Sequence, residues 1–224
     1  MKIQSGSAIV ISFFLVIVPD LGAQATLPQI TVGVVNQADV DPKALRQGLE
    51  FAAIILQWTG VSVASLDCAM DGTAATAPCS GFTGPNQISI RLIRRSQREA
   101  GEIGFRKLGF ADRLDGRPGS GIVYVFCETI EPAARDWRIP LQDILGVVIT
   151  HEIGHLLISP GHTGKGIMRS QLEEGEWRKA SQGMLRFTPK EAKIIREGIL
   201  SRDHHAQDLF GSKGSKTITT RVQK

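Results

Sequence analysis

Apolar and β-branched residues recur at every second position in Gln29–Asn36 and in Gln87–Ile93. This alternation predicts two strands that each bury one face. Residues 61–66 are typical of a further strand, and the continuous apolar run 122–127 predicts a strand buried on both faces. A weaker strand is expected at residues 105–110.

Three stretches have a helical pattern instead. Asp41-Pro42 is a typical helix start, and the apolar residues that follow recur at helical spacing until Gly60. Residues 141–158 form the longest predicted helix, which ends before Ser159-Pro160-Gly161. Thr188-Pro189-Lys190-Glu191 has the form of a capping box, which predicts a last helix through Ile199.

The order of these elements predicts an α/β fold in one domain, residues 26–200. We expect one mixed, mostly parallel sheet of four to five strands. The first helix would back the sheet, the helix at 141–158 would carry the chemistry, and a C-terminal helix would follow.

The N-terminus resembles an export signal. Lys2 precedes an apolar run at residues 8–18, which is too short for a stable transmembrane helix, and Ala23-Gln24-Ala25 offers small residues at cleavage spacing. We therefore predict a signal peptide at residues 1–25 and a secreted or periplasmic protein. A retained membrane anchor is the alternative. No other segment is apolar enough to insert stably into a membrane.

Export affects the interpretation of the three cysteines, Cys68, Cys79 and Cys127. Cys68 and Cys79 flank a polar loop in which a disulfide could form in an oxidising compartment. Cys127 lies in an apolar run and would then be a buried free thiol. Three single pairings are possible, so the connectivity stays open.

Charge and composition exclude a nucleic-acid-binding protein. The 224 residues have a formal net charge of +4, and residues 201–224 hold five basic against two acidic side chains. The excess of positive charge therefore lies mainly in this C-terminal segment, which we predict to be a basic, disordered tail. No basic patch with interleaved aromatic residues is present.

The helix at 141–158 contains His151-Glu152-Ile153-Gly154-His155. Residues four apart share one helix face, so the imidazoles of His151 and His155 can close on one metal ion. The carboxylate of Glu152 lies beside that ion and can take a proton from a water molecule. Burying three polar groups among apolar residues is costly unless a metal satisfies them. The pattern therefore indicates a Zn²⁺ site.

A catalytic zinc needs a third protein ligand. His162 follows Pro160-Gly161, and a short turn would present it with little loss of loop entropy. The alternatives are an acidic residue, Glu173 or Glu174, and a histidine, His204 or His205. His162 is the preferred ligand.

The stretch HEIGHLLISPGHTGKGIM, residues 151–168, resembles the metzincin zinc peptidases, in the compact style of the matrixins. The resemblance implies that His151, His155 and His162 bind zinc, that Glu152 is the general base and that Met168 packs beneath the metal. Ile158 stands where the family has glycine, and His162 follows His155 by seven residues instead of six. A tyrosine that some members carry shortly after the methionine is absent.

These observations predict a secreted zinc metallopeptidase that hydrolyses peptide bonds of peptide or protein substrates, with Glu152 activating the water. By analogy with the family, the strand near residue 110 would border the cleft and pair with an extended substrate. Two alternatives stay open: a catalytically silent zincin-like protein with a structural zinc, and a hydrolase of another amide such as a cell-wall cross-link.

Overall fold

The computed structural model describes residues 27–67, 84–96, 99, 107–114, 118–158 and 161–211. The predicted signal peptide, the two cysteines Cys68 and Cys79, and residues 212–224 lie outside this part of the chain. No helix within it is long and apolar enough to cross a membrane. Its elements are β1 (Gln29–Asn36), α1 (Pro42–Gln57), β2 (Ser62–Asp67), β3 (Gln87–Ile93), β4 (Gly109–Arg113), β5 (Gly121–Phe126), α2 (Cys127–Trp137), α3 (Leu141–Leu157), α4 (Glu174–Ser181) and α5 (Pro189–Gly211).

The five strands form one sheet in the order β2-β1-β3-β5-β4. All neighbours are parallel except β4, which runs antiparallel to β5 at the edge. In β3 the alternation predicted by the sequence is present, since Ile88, Ile90 and Leu92 are fully buried and Arg91 is exposed. The α/β fold with a mixed, mostly parallel sheet is thus confirmed.

Helix α1 begins as its sequence predicts. The side chain of Asp41 accepts a hydrogen bond of 2.9 Å from the backbone N–H of Ala44, and Pro42 occupies the first turn. Gly48 allows α1 to approach α3 closely, because a Cβ there would lie 2.9 Å from Cβ of Leu145. Helix α3 therefore packs between α1 on one side and β4 and β5 on another.

Two helices were not predicted. Residues 127–137 were expected to end a strand and then form a connector, but Cys127 begins α2 instead. Pro132 lies inside this helix, where proline normally disfavours helical structure. Burial of Ile130 and a tilted contact between Trp137 and Trp177, with ring centroids 5.0 Å apart, stabilise α2 through tertiary packing. Trp177 belongs to α4, the second helix that local pattern did not reveal.

Two elements differ from the prediction by more than one residue at a boundary. Strand β4 begins at Gly109, four residues later than expected, and Lys107 and Leu108 are not in the strand. Helix α5 continues past Ile199 to Gly211 and so enters the segment predicted as a tail. Contacts with the start of β3 explain this extension: Asn86 donates to the carboxylate of Asp203 at 2.7 Å and accepts from Arg202 at 2.6 Å.

Candidate metal centre

Helix α3 places two histidines side by side. Its residues from Ile144 to Leu157 are buried except for His151 and His155, which are partly exposed on one face. Their Nε2 atoms lie 3.1 Å apart. The four-residue spacing of an α-helix accounts for this geometry, as the sequence predicts.

The third histidine, His162, lies in the turn that follows α3. The chain leaves the helix at Ile158 in an extended conformation, and Gly161 has φ +129, which favours glycine. The ring of His162 then lies 5.3 Å from that of His151 and 4.8 Å from that of His155. One nitrogen from each of the three side chains lies within 4.8 Å of the others, so the group could hold a metal ion.

The alternative third ligands lie elsewhere. Glu173 is exposed and caps α4, where its carboxylate and that of Glu176 form a capping box. His204 and His205 are exposed on α5. The side chain of Glu174 is outside the described part of the chain. Among the described residues, the histidines at 151, 155 and 162 form the group with metal-binding geometry.

Hydrogen bonding defines the tautomer of His151. Its Nδ1 lies 2.7 Å from the backbone carbonyl oxygen of Ile167, which can only accept, so Nδ1 carries the proton. Nε2 is therefore the unprotonated nitrogen, which can bind a metal ion. Two ligand atoms of a tetrahedral zinc ion lie about 3.3 Å apart, close to the observed separation of the two Nε2 atoms. The spacing of the helix pair thus fits two ligands of one zinc ion.

The surroundings favour the neutral form of His151 and His155. Burial lowers the pKa of His151, and the hydrogen bond to Ile167 offsets this only in part. The pKa of His155 falls to about 4, chiefly through burial, with further lowering by the other two histidines, Arg113 and Lys107. Neutral imidazole is the form that binds a metal.

Glu152 is buried next to the histidines, with 8% of its surface exposed. It lies against β4, where a Cβ at Gly109 would come within 2.9 Å of its Cγ and 3.0 Å of its Oε1. Burial raises the pKa of Glu152 to about 7, and the positive charge of Lys107 limits the increase. A carboxyl group in this range can both accept and return a proton near neutral pH.

The turn with His162 is fastened by residues far along the chain. Thr163 donates its hydroxyl to the carboxylate of Glu191 at 2.8 Å, and its N–H bonds to the carbonyl of Met168 at 2.9 Å. The N–H of Ile167 donates to the carbonyl of Arg186 at 3.0 Å. Glu191 also accepts from the N–H of Thr188 at 2.7 Å, which confirms the predicted capping box. The sequence did not reveal its second contact, with Thr163.

Met168 lies directly behind the helix that carries the two histidines. It is 1% exposed, and a Cβ at Gly154 would collide with its Sδ atom. The absence of a side chain at Gly154 therefore allows the turn to pack onto α3. Met168 thus packs against α3 next to His155, and its place beneath a metal ion stays a prediction of the sequence resemblance.

Arg113, at the end of β4, was not identified from the sequence. Its guanidinium donates to the backbone carbonyls of His155 and Ile158 at the end of α3. No local pattern marks such a contact, because β4 and the end of α3 are distant in sequence.

No family model matches the chain, and no curated protein matches its sequence. Among solved structures it is similar to metalloproteinase-II from Bacteroides fragilis, with a TM-score of 0.43 and 12% identity. The similarity covers 79% of this chain and 55% of that one, so the chain spans about half of that protein's length. A similarity this distant carries no argument about function. The function is therefore inferred from the site itself.

Proposed function

We propose that this protein is a zinc metallopeptidase of the metzincin type. The observation that carries the proposal is the grouping of the three histidine nitrogens within 4.8 Å around the partly exposed face of α3. Glu152 is buried beside them with a pKa raised to about 7. The ligands of a catalytic zinc and a carboxyl group suited to proton transfer thus occur together.

The residues of the chain would divide the work as follows. His151, His155 and His162 hold the zinc ion, and neutral imidazole suits it. When bound, zinc acidifies water and polarises a carbonyl group. The carboxylate of Glu152 takes the proton of the attacking water and returns it to the amine that leaves. Hydrolysis then needs no covalent intermediate with the protein.

The edge strand β4 supports a peptide as substrate. It ends the sheet on the side that contacts α3, and Gly109 within it touches Glu152. An extended peptide that adds to this edge would place its backbone beside Glu152. Phe110, 43% exposed on the same strand, would contact a side chain of the substrate. We propose peptides or proteins as the substrate class and a secreted or periplasmic location, on the basis of residues 1–25.

The test is peptide-library cleavage by the purified protein, with metal analysis of the same sample. We expect about one zinc per chain and cleavage that a chelator abolishes and zinc restores. Glu152→Gln should keep the metal and lose cleavage by about 1,000-fold or more. Glu197→Gln changes an exposed carboxylate on α5 in the same way and serves as the matched control.

Two results would contradict the proposal. A carefully handled sample without zinc would refute the metal site. Undiminished cleavage by Glu152→Gln would refute the role of its carboxylate. A protein that binds zinc but cleaves no peptide would instead point to a zincin-like binding protein or to a hydrolase of another amide.

A further inference from the structure

Helix α3 ends where the two parts of the metal centre meet. His151 and His155 lie before this end, and His162 follows Ile158 by four residues. The last carbonyl groups of any helix lack partners within the helix. Here the backbone N–H of Ile158 still bonds to Gly154, but Ile158 itself is extended, so the carbonyl of His155 needs a partner from elsewhere.

Arg113 supplies that partner. Both its Nε and its Nη2 donate to the carbonyl oxygen of His155, at 3.1 and 2.6 Å, and Nη2 also contacts the carbonyl oxygen of Ile158. One rigid guanidinium therefore joins the last turn of α3 to the first residue beyond it. A positive charge is also favourable at the C-terminus of a helix.

The sheet fixes the backbone of Arg113. Arg113 is the last residue of β4, and its backbone is in register with Gly121 of β5. The contact therefore fixes the direction in which the chain leaves α3 relative to the edge strand. Beyond His162, the turn is fixed by the hydrogen bond between Thr163 and Glu191.

We propose that Arg113 is a positioning residue that fixes the exit of the chain from α3 and so holds His162 at the metal site. This inference rests on the proposed zinc site. Arg113 does not touch the metal or a substrate in this role; it acts on zinc affinity through the backbone on either side of Ile158.

The test compares Arg113→Lys with the unchanged protein by zinc titration against a chromophoric chelator. Lysine keeps the charge but cannot donate to two carbonyl groups in a fixed fork. Loss of a residue that orients a ligand typically lowers metal affinity by 10- to 100-fold, and we expect about 10-fold for Arg113→Lys and about 100-fold for Arg113→Ala. Arg94→Lys is the matched control, because Arg94 pairs with Glu131 on the surface.

A double-mutant cycle separates positioning from general stability. If Arg113 acts through His162, then Arg113→Lys in a His162→Ala background should change zinc affinity by less than about threefold. A full effect in that background, or an unchanged affinity of Arg113→Lys on its own, would overturn the role of Arg113 while leaving the zinc site intact. Failure of the unchanged protein to bind zinc would overturn the proposed function and this inference with it.

Discussion

The two halves of the candidate metal centre are held by contacts of different range along the sequence. The helix half, His151, Glu152 and His155, is fixed by the period of α3 and by the burial of the apolar residues around it. The turn half, residues 161–168, is fixed by the burial of Ile167 and Met168 and by single hydrogen bonds to distant residues such as Glu191 and Arg186. The first arrangement is encoded within five residues, whereas the second depends on the completed fold.

Removing ligands should show this difference most strongly. Structural zinc sites bind with about 10–16 kcal/mol over four ligands, or about 2.5–4 kcal/mol per ligand, so loss of a rigid ligand in His155→Ala should lower affinity by up to roughly 1,000-fold. His162→Ala should cost only about 100-fold, because its turn is exposed and has fewer contacts. The measurement is zinc titration, with His204→Ala on α5 as the unaffected control. Equal losses for the two variants would show that both halves are equally rigid.

The buried carboxyl group of the helix half should make stability depend on pH. The pKa of Glu152 is raised from 4.5 to about 7, so its contribution to stability is complete below pH 4.5 and is lost as the pH rises through 7. Without metal, Glu152→Gln should therefore stabilise the protein by roughly 2–3 kcal/mol at pH 8 and by less than about 1 kcal/mol at pH 5. Denaturant unfolding in a chelator measures both.

Two comparisons make that result specific. Glu197→Gln, which changes an exposed carboxylate on α5, is the control variant. A gain for Glu152→Gln that is the same at both pH values would show that the carboxyl group is not titrating in this range. Stabilisation by Glu152→Gln would also mean that the native carboxyl group lowers the stability of the metal-free protein, as functional residues often do.

Contact between the two halves can be tested at Gly154. A Cβ there would meet Sδ of Met168 and lie 3.0 Å from a ring carbon of Phe187, so Gly154→Ala should destabilise the protein by about 1–3 kcal/mol. In a Met168→Ala background the contact with Sδ is removed and only that with Phe187 stays, so the same change should cost at least about 1 kcal/mol less. Thermal unfolding of the four proteins gives the coupling. Additive effects would show that the two halves are not in close contact at Gly154 and Met168.

The smallest effect should come from the turn half alone. Thr163→Val removes the hydroxyl that donates to Glu191, which should lower the free energy of unfolding by about 1 kcal/mol and zinc affinity by about fivefold. Thr59→Val is the matched control, because its hydroxyl donates to Leu56 at 2.6 Å, away from the metal site. Zinc affinity should then change only in the Thr163 variant. A similar loss in both would indicate a general effect of stability.

Sequence reasoning succeeded where a structure depends on near neighbours. The pair His151 and His155 follows from helical spacing, β3 from alternation, and the start of α1 from Asp41-Pro42. His162 was also placed beside the helix pair, because a short turn leaves few alternatives. Each of these inferences needed no knowledge of residues more than a few positions away.

Sequence reasoning failed where contacts with residues far away in the sequence determine the local structure. Helix α2 contains Pro132 and forms because Ile130 and Trp137 pack against other elements. The extension of α5 depends on Asn86, and the contact of Arg113 with α3 spans 42 residues. Local propensity cannot reveal such contacts, since tertiary packing overrides it.

The hydrogen bond between Thr163 and Glu191 bears on the order in which the site folds during synthesis. Glu191 follows Thr163 by 28 residues, so both histidines of α3 and His162 are translated well before the residue that fastens the turn. A nascent chain that stops before α5 would carry the helix pair without a fixed third ligand. The full metal affinity of the site should therefore be reached only after Glu191 has left the ribosome and docked against the turn.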